Sequence, residues 1–309
     1  MLKPGVRFRP ADLLTALFAG ALLVVGILRW DAIASPASVG LVAAAFAIPF
    51  GAAAVRARAG WRSPWRVAAD VAPLVSLLLV FDNLGPFIRV ISPVDRDGLL
   101  IAFDRALFGT DPTRALEAVS GPLLSDVLTV CYALYYVHPL VLAALLCADD
   151  LRLSREGFPA EEFPRFAFTI LFVFYASYAG YFAVPASGPR LNIRHDAPLP
   201  RGAVSAAIDG TLDRLEKNKK DCFPSGHTMV TVAVLVEARR RSRGTMLAFL
   251  PFALGLIAAT VYGRYHYVAD VLAGLALTAL CVPLGRRLYD ALAPRLADAA
   301  PATERETIR

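Results

Sequence analysis

Two histidines and one aspartate in the C-terminal third of the chain have the types and spacing for nucleophilic chemistry at a phosphoryl group. In His266-x-x-x-Asp270, a separation of four puts imidazole and carboxylate on one helical face. The carboxylate can take one ring N–H and leave the other nitrogen its lone pair, free as a nucleophile. Upstream, Pro224-Ser225-Gly226-His227 reads as a helix start, with Ser225 as N-cap and Gly226 letting a ligand approach the backbone. The free N–H groups and positive dipole end of that helix form an anion site. His227 stands beside it, placed to protonate a leaving oxygen. Arg264 and Arg190 supply planar guanidinium forks that suit phosphoryl oxygens. Each piece has an ordinary alternative: a helix-end contact for the His-Asp pair, an interfacial stem lying along lipid for Arg264.

The elements that must position these residues are membrane spans. Of 309 residues, 57% are hydrophobic and 19% charged, and the mean hydropathy is +0.53. The apolar residues fall in blocks of about 20, the length that crosses a hydrocarbon core of roughly 30 Å. A soluble helical protein of this length would carry far more surface charge. Eight spans are expected, at 12–30, 37–55, 67–91, 122–147, 164–184, 226–239, 245–263 and 268–288, the sixth being short. Each must be helical, because a lipid-exposed backbone has no other way to satisfy its hydrogen bonds. The fold class is therefore all-α integral membrane protein. Lys3, Arg7 and Arg9 followed by Leu13 to Leu28 imitate a signal peptide, but the run is long and Arg29-Trp30-Asp31 offers no cleavage site, so it reads as a retained span. Residues 99–108 and 113–119 read as short interfacial helices, with Asp111 as a cap and Pro112 at the first helical position. From Pro294 the chain reads as a frayed tail.

Charge orients the spans. The formal net charge is +6, yet the arginines cluster between apolar blocks and form no basic groove with interleaved aromatics, which argues against a nucleic-acid partner. With the N-terminus inside, 19 of the 32 Lys and Arg residues fall on its side. The positive-inside rule then places both termini in the cytoplasm and the histidines at the extracytoplasmic face, and a bacterial inner (plasma) membrane is the expected location. Loop 185–223 violates the trend with Arg190, Arg194, Arg201, Arg214, Lys217, Lys219 and Lys220, and an external basic loop calls for an anion. Arg190, Arg194, Lys219 and Lys220 are the candidates to complete a phosphate clamp with Arg264, Ser225 and Gly226. Cys131, Cys147 and Cys281 lie in spans and Cys222 stands alone near the loop, so neither a disulfide framework nor a metal-ligand spacing is visible, and no metal or cofactor is expected. Asp82, Asn83 and Asp126 are candidate head-group contacts or, equally, helix-packing partners. His138 reads as a core histidine and His195 as a loop residue. The aromatics from Phe166 to Tyr181 suit either an acyl-chain groove or plain packing.

Pro224-Ser225-Gly226-His227, followed some 40 residues later by Arg264-Tyr265-His266-Tyr267-Val268-Ala269-Asp270, resembles the type 2 phosphatidic acid phosphatase superfamily. Together with Phe103-Asp104-Arg105-Ala106-Leu107-Phe108-Gly109-Thr110-Asp111-Pro112, it resembles more narrowly the branch containing inositol phosphorylceramide synthases. The resemblance covers roughly 67–288. It implies a six-helix catalytic core at 67–290, preceded by two additional helices at 1–66 and followed by a flexible cytoplasmic tail at 291–309. It implies His266 as a nucleophile forming a phosphohistidine, Asp270 orienting it and His227 as acid. The chain departs from the superfamily pattern in its clamp: Ala183 stands where a Lys is common, Pro189-Arg190 reverses the usual Arg-Pro, and Ala259-Thr260 replaces Ser-Arg. Transfer of a phospho-head group from a phospholipid to a lipid hydroxyl such as ceramide is the expected activity. Hydrolysis of a lipid phosphate with water as acceptor is the alternative, and a non-catalytic transporter or scaffold is the reading from another class.

Overall fold

The structure is a computed structural model that describes residues 8–33, 35–58, 64–156, 161–215 and 220–298, and no strand occurs among them. In chain order the helices are α1 (Pro10–Leu28), α2 (Pro36–Arg58), α3 (Pro64–Ile91), α4 (Asp97–Phe108) and α5 (Pro112–Ala115). They continue with α6 (Pro122–Ala133), α7 (His138–Arg155), α8 (Glu162–Ala183), α9 (Pro189–Asn192) and α10 (Ala203–Leu215). The last three are α11 (Gly226–Arg241), α12 (Arg243–Tyr262) and α13 (Val268–Asp298). Six of them, α1, α2, α3, α8, α12 and α13, are long and apolar enough to cross a membrane. This is an integral membrane protein.

The expected fourth and sixth spans take other forms. The apolar run 122–147 is broken by a 3₁₀ turn at Leu134–Tyr136, so that α6 and α7, apolar enough together to cross a membrane, meet at a bend of 46°. Pro139 explains the break, since it has no N–H to bond the carbonyl four residues back and its ring crowds that carbonyl, so a helix can restart around it but not run through it. Helix α11 has 16 residues, about 24 Å at roughly 1.5 Å per residue, less than the hydrocarbon thickness. At the C-terminus α13 passes Pro294 and ends at Asp298, so helix replaces the first part of the expected tail; 299–309 lie outside the described residues.

Helix α8 joins the two halves of the molecule. One of its faces, through Leu171, Tyr175, Tyr178 and Tyr181, packs into a core built from α1, α2 and α3 around Val42, Leu84 and Phe87. Another, through Phe166, Ile170 and Val173, packs with Leu142 of α7, Met229 and Val234 of α11, and Val282 of α13. The aromatics of this span are thus core packing. At the end of the bundle away from the histidines, the first three helices are tied by charge. Arg56 of α2 donates to both oxygens of Asp12 on α1 at 2.6 and 2.7 Å, and its Nε pairs with Asp70 of α3 at 3.0 Å. Asp12 is 0% and Arg56 2% exposed, so truncating one partner strands a buried charge. Asp12→Ala is expected to destabilise the protein by about 3–5 kcal/mol, whereas Asp12→Leu with Arg56→Met recovers most of the loss. Thermal unfolding in detergent, followed by far-ultraviolet circular dichroism, measures both.

Candidate functional site

The site is assembled where α8, α11, α12 and α13 end together. Ser225 accepts the Thr228 N–H at 3.2 Å and caps α11, and Phe223-Pro224 is a cis peptide. That cap puts His227 in the first turn. A methyl group on Gly226 would stand 2.5 Å from the Tyr181 hydroxyl, which is why only glycine lets α11 come so close to α8. At the other strand of the site, α12 ends in a tight turn: the Tyr265 and His266 N–H groups both donate to the Thr260 carbonyl, at 2.9 and 3.0 Å. Arg264 takes the left-handed conformation, at φ 63°, inside this turn.

The two histidines and Asp270 meet. His227 Nδ1 lies 3.3 Å from His266 Nε2, and His266 Nδ1 lies 3.3 Å from Asp270 Oδ2. Their tautomers follow from the partners: next to a carboxylate, His266 carries its proton on Nδ1, so Nε2 is an acceptor and the His227 Nδ1–H must donate to it. His266 is 3% and Asp270 0% exposed, while His227 is half-buried and forms the accessible side. Asp270 Oδ2 also receives the Tyr267 N–H at 2.8 Å and the Cys222 thiol at 2.7 Å. Its Oδ1 is buried with no hydrogen-bond partner among the described residues. Such a chain can hold a nucleophilic nitrogen, orient it, and keep a proton beside it for a leaving group.

Helix α4 braces this arrangement through two carboxylates seven residues apart, hence on one face. Asp97 accepts the Ser187 and Gly188 N–H groups at 3.0 and 2.9 Å and the Tyr267 hydroxyl at 2.9 Å. Gly188 has φ 88°, and a Cβ there would lie 2.5 Å from the Tyr265 carbonyl oxygen. Asp104 accepts the Val268 and Ala269 N–H groups at 2.9 and 2.8 Å and so caps α13 from another helix. Burial raises the Asp104 pKa despite these two bonds. Burial, then the Asp270 charge, pushes the Cys222 thiol well up; burial and Asp97 do the same for the Tyr267 phenol. The opposite face of α4, with Leu99, Phe103 and Leu107, is exposed and apolar, as an interfacial helix requires. Asp104→Ala is expected to fray the start of α13 and lower kcat by about a hundredfold, the scale of a misplacement of about 1 Å at a reacting group. Asp104→Asn, which still offers one acceptor, should lose less; steady-state kinetics in mixed micelles read the difference.

The break between α6 and α7 turns tyrosine rings towards His227. Tyr132 stacks on it with centroids 4.8 Å apart, and Tyr135 lies tilted at 4.3 Å. Tyr132 stacks in turn on Tyr265 at 4.6 Å, and the Arg190 guanidinium sits 4.3 Å above Tyr265. Arg190 therefore closes a ladder that ends on His227. Arg264 is 9% exposed, and its guanidinium donates to Glu117 at 3.3 Å and to the Ala197 carbonyl at 2.8 Å. Its buried Nε–H has no acceptor among the described residues, and burial lowers its pKa. Arg194 is exposed, Lys220 pairs with Asp95, and Lys219 lies outside the described residues.

Of the candidate head-group residues, Asp126 and Asn83 make local hydrogen bonds. Asp126 accepts both the N–H and the hydroxyl of Ser205 at 2.8 Å, capping α10. Asn83 is buried and donates to the Leu79 carbonyl one turn back at 2.8 Å, while its neighbour Asp82 is exposed. Asp111 adopts the cap backbone conformation at α5, but its carboxylate is taken by Arg105, at 2.7 and 3.0 Å, which holds its pKa down. His138 is buried beside Phe249, and His195 lies 3.2 Å from the Thr113 hydroxyl. A cavity of about 680 Å³ lies at the end of the bundle away from the histidines, lined by Asp149, Asp150, Glu237, Arg240, Arg241 and Arg286 among others. Its charges answer one another: Arg286 pairs with Glu237 at 2.6 Å and Arg241 with Asp149 at 2.7 Å.

Sequence reasoning overlooked Asp97, Asp104, Cys222, Tyr132 and Tyr135. The seven-residue spacing of the two aspartates was the available signal for α4; the others touch the site only through residues far away in sequence.

The comparisons with known proteins agree with this picture. A protein of Dictyostelium discoideum named PA-phosphatase related-family protein is 24% identical over 183 residues, covering 55% of this chain and 33% of that relative. The aligned part is thus about a third of the relative's length. No solved structure matches. The family model described as PAP2 superfamily matches residues 99–284, from inside α4 to inside α13, a stretch that holds both histidines, Asp270 and Asp104. With three-fifths of its length inside that match, the chain belongs to the PAP2 superfamily.

Proposed function

We propose that the protein is a membrane lipid phosphotransferase that moves a phospho-head group, such as phosphoinositol, from a phospholipid to a lipid hydroxyl such as ceramide, through a phosphohistidine on His266. The observation that carries this reading is the continuous chain His227–His266–Asp270, with 3.3 Å at each link. Asp270 holds the Nδ1–H of His266, so the Nε2 lone pair is the one available for attack. In the free enzyme that lone pair accepts the His227 proton, and a phosphoryl group must part the two rings. Nε2 then bonds to phosphorus, the bond to the diacylglycerol oxygen breaks, and His227, which the bound phosphoryl anion holds as the doubly protonated cation, gives one proton to that oxygen and is left neutral. In the second half, His227 takes the proton of the incoming hydroxyl, whose oxygen displaces Nε2.

Charge is handled by the residues around this line. The Arg264 Nε–H, the first turn of α11 and the guanidinium of Arg190 are proposed to hold phosphoryl oxygens, with Arg194, Lys220 and Lys219 drawing anionic head groups to the loop. The Tyr132 and Tyr135 rings offer their negative faces to His227 when it becomes cationic. The arginine-rich helix ends away from the histidines support a cytoplasmic placement of both termini in a bacterial plasma membrane, with the site on the opposite side. The inositol phosphorylceramide synthase-like assignment rests on the segment 103–112 and on the likeness of the histidine motifs.

Hydrolysis is the second reading, favoured by the name of the Dictyostelium relative. Incubating purified protein in mixed micelles with labelled phospholipid, with and without ceramide, separates them. A new phospholipid that appears only with ceramide supports transfer; a water-soluble head-group phosphate or free phosphate formed regardless of ceramide supports hydrolysis.

A further inference from the structure

Cys222 has no part in the chemistry above, yet its sulfur is buried against the two residues that define the nucleophile. Cys222 Sγ, His266 Nδ1 and a carboxylate oxygen of Asp270 all lie within 4.8 Å of one another, and the three residues are buried. This donor set, thiolate, imidazole and carboxylate, is that of a zinc-type site. The spacing can be compared with what a tetrahedral ion requires. Ligand distances of about 2.0–2.3 Å place neighbouring donors about 3.4–3.6 Å apart. Cys222 Sγ to His266 Nδ1 is 3.6 Å and His266 Nδ1 to Asp270 Oδ2 is 3.3 Å, both close to that edge. Cys222 Sγ to Oδ2, at 2.7 Å, is too short, so the carboxylate must turn. Asp270 has the means: Oδ1 is buried and has no hydrogen-bond partner among the described residues.

We propose that Cys222, His266 and Asp270 form a binding site for a thiophilic divalent cation, Zn²⁺ or Cd²⁺, and that its occupancy silences the nucleophile. The silencing part rests on the role proposed for His266. Binding replaces the thiol proton of Cys222, which leaves to solvent, and the Nδ1 proton of His266, which moves to Nε2, while the facing neutral His227 shifts its own proton from Nδ1 to its other ring nitrogen and becomes the acceptor. The ring stays neutral, but Nε2 becomes a donor and loses the lone pair needed for attack. Two positive charges meet one thiolate and one carboxylate, so the buried complex carries no net charge, which suits a site removed from water.

The test is a titration of the purified full chain in detergent with Cd²⁺, reading the ultraviolet charge-transfer band of cadmium bound to thiolate, without substrate. Wild type and Cys131→Ser should both develop the band, and their lipid turnover should fall with the same midpoint. Cys222→Ser and Asp270→Asn should bind at least about a hundredfold more weakly, since even outer partners of a metal are worth about 10–100-fold. Each variant is compared with its own metal-free state, and far-ultraviolet circular dichroism checks its folding; Asp270→Asn keeps every thiol, so it serves if Cys222→Ser does not fold. A band or an inhibition midpoint unchanged in both variants overturns the site, and stimulation of wild-type turnover by the metal overturns the silencing. Because the band is read without substrate, absence of lipid turnover would defeat the proposed function and leave the metal site tested.

Discussion

His266→Ala is expected to lower turnover by about 10⁴-fold or more, with little change in the amount of folded protein. The size follows from the role: a covalent nucleophile has no substitute in the site, and removing such a group from a catalytic unit removes the unit's contribution. Among the described residues no other nucleophile is so placed. Cys222 is buried behind the ring with its thiol pushed well above the usual range, and it faces Nδ1 rather than Nε2. His266→Asn should fare no better, because an amide nitrogen has no lone pair to offer. The side chain is 3% exposed and its loss leaves a small gap, so thermal unfolding is the control that separates lost chemistry from lost fold. Phospholipid turnover at saturating substrate is the readout.

His227→Ala is the second large effect, about 10²–10⁴-fold on a natural lipid substrate, the usual worth of a general acid. Its distinguishing mark is dependence on the leaving group. Diacylglycerol leaves as a poor alkoxide unless protonated, whereas a nitrophenolate leaves unaided. The variant should therefore keep far more of its phosphoenzyme-forming rate, read as the first-turnover release of alcohol, towards a nitrophenyl phosphoester than towards a phospholipid. The variant also lacks the donor 3.3 Å from Nε2, so its nucleophile is uncapped while the second half-reaction lacks its base. A phosphorylated enzyme should accumulate. Equal losses of that first-step rate on both substrates would mean that His227 only positions the phosphate.

Much of this architecture could be read directly. Apolar blocks of about 20 residues located the six long spans because lipid leaves the backbone no other solution. The spacing of His266 and Asp270 needed only helix geometry, and Ser225 announced the start of α11 by its type. What stayed hidden has a common cause, namely contacts between residues far apart in sequence. Cys222 looked solitary because its neighbours His266 and Asp270 lie 44 and 48 residues later. Asp104 looked like part of an interfacial helix because the N–H groups it caps are 164 and 165 residues away. The bend at Leu134–Tyr136 was masked by a continuous apolar run, although Pro139 marked it. Asp111 shows local and tertiary preferences in competition: its position suggested a cap, and a guanidinium 2.7 Å away took the carboxylate.

The central claim is a covalent phosphohistidine at His266, and trapping it is the most direct measurement. His227→Ala protein is mixed with a nitrophenyl phosphodiester carrying labelled phosphorus, quenched in alkaline denaturant, digested and mapped. The expected result is a label that is stable in alkali and lost in acid, on the peptide containing Tyr265-His266-Tyr267, and absent when His266 is also replaced by alanine. A label that survives that replacement, or turnover with no protein-bound phosphate at any time, would contradict it.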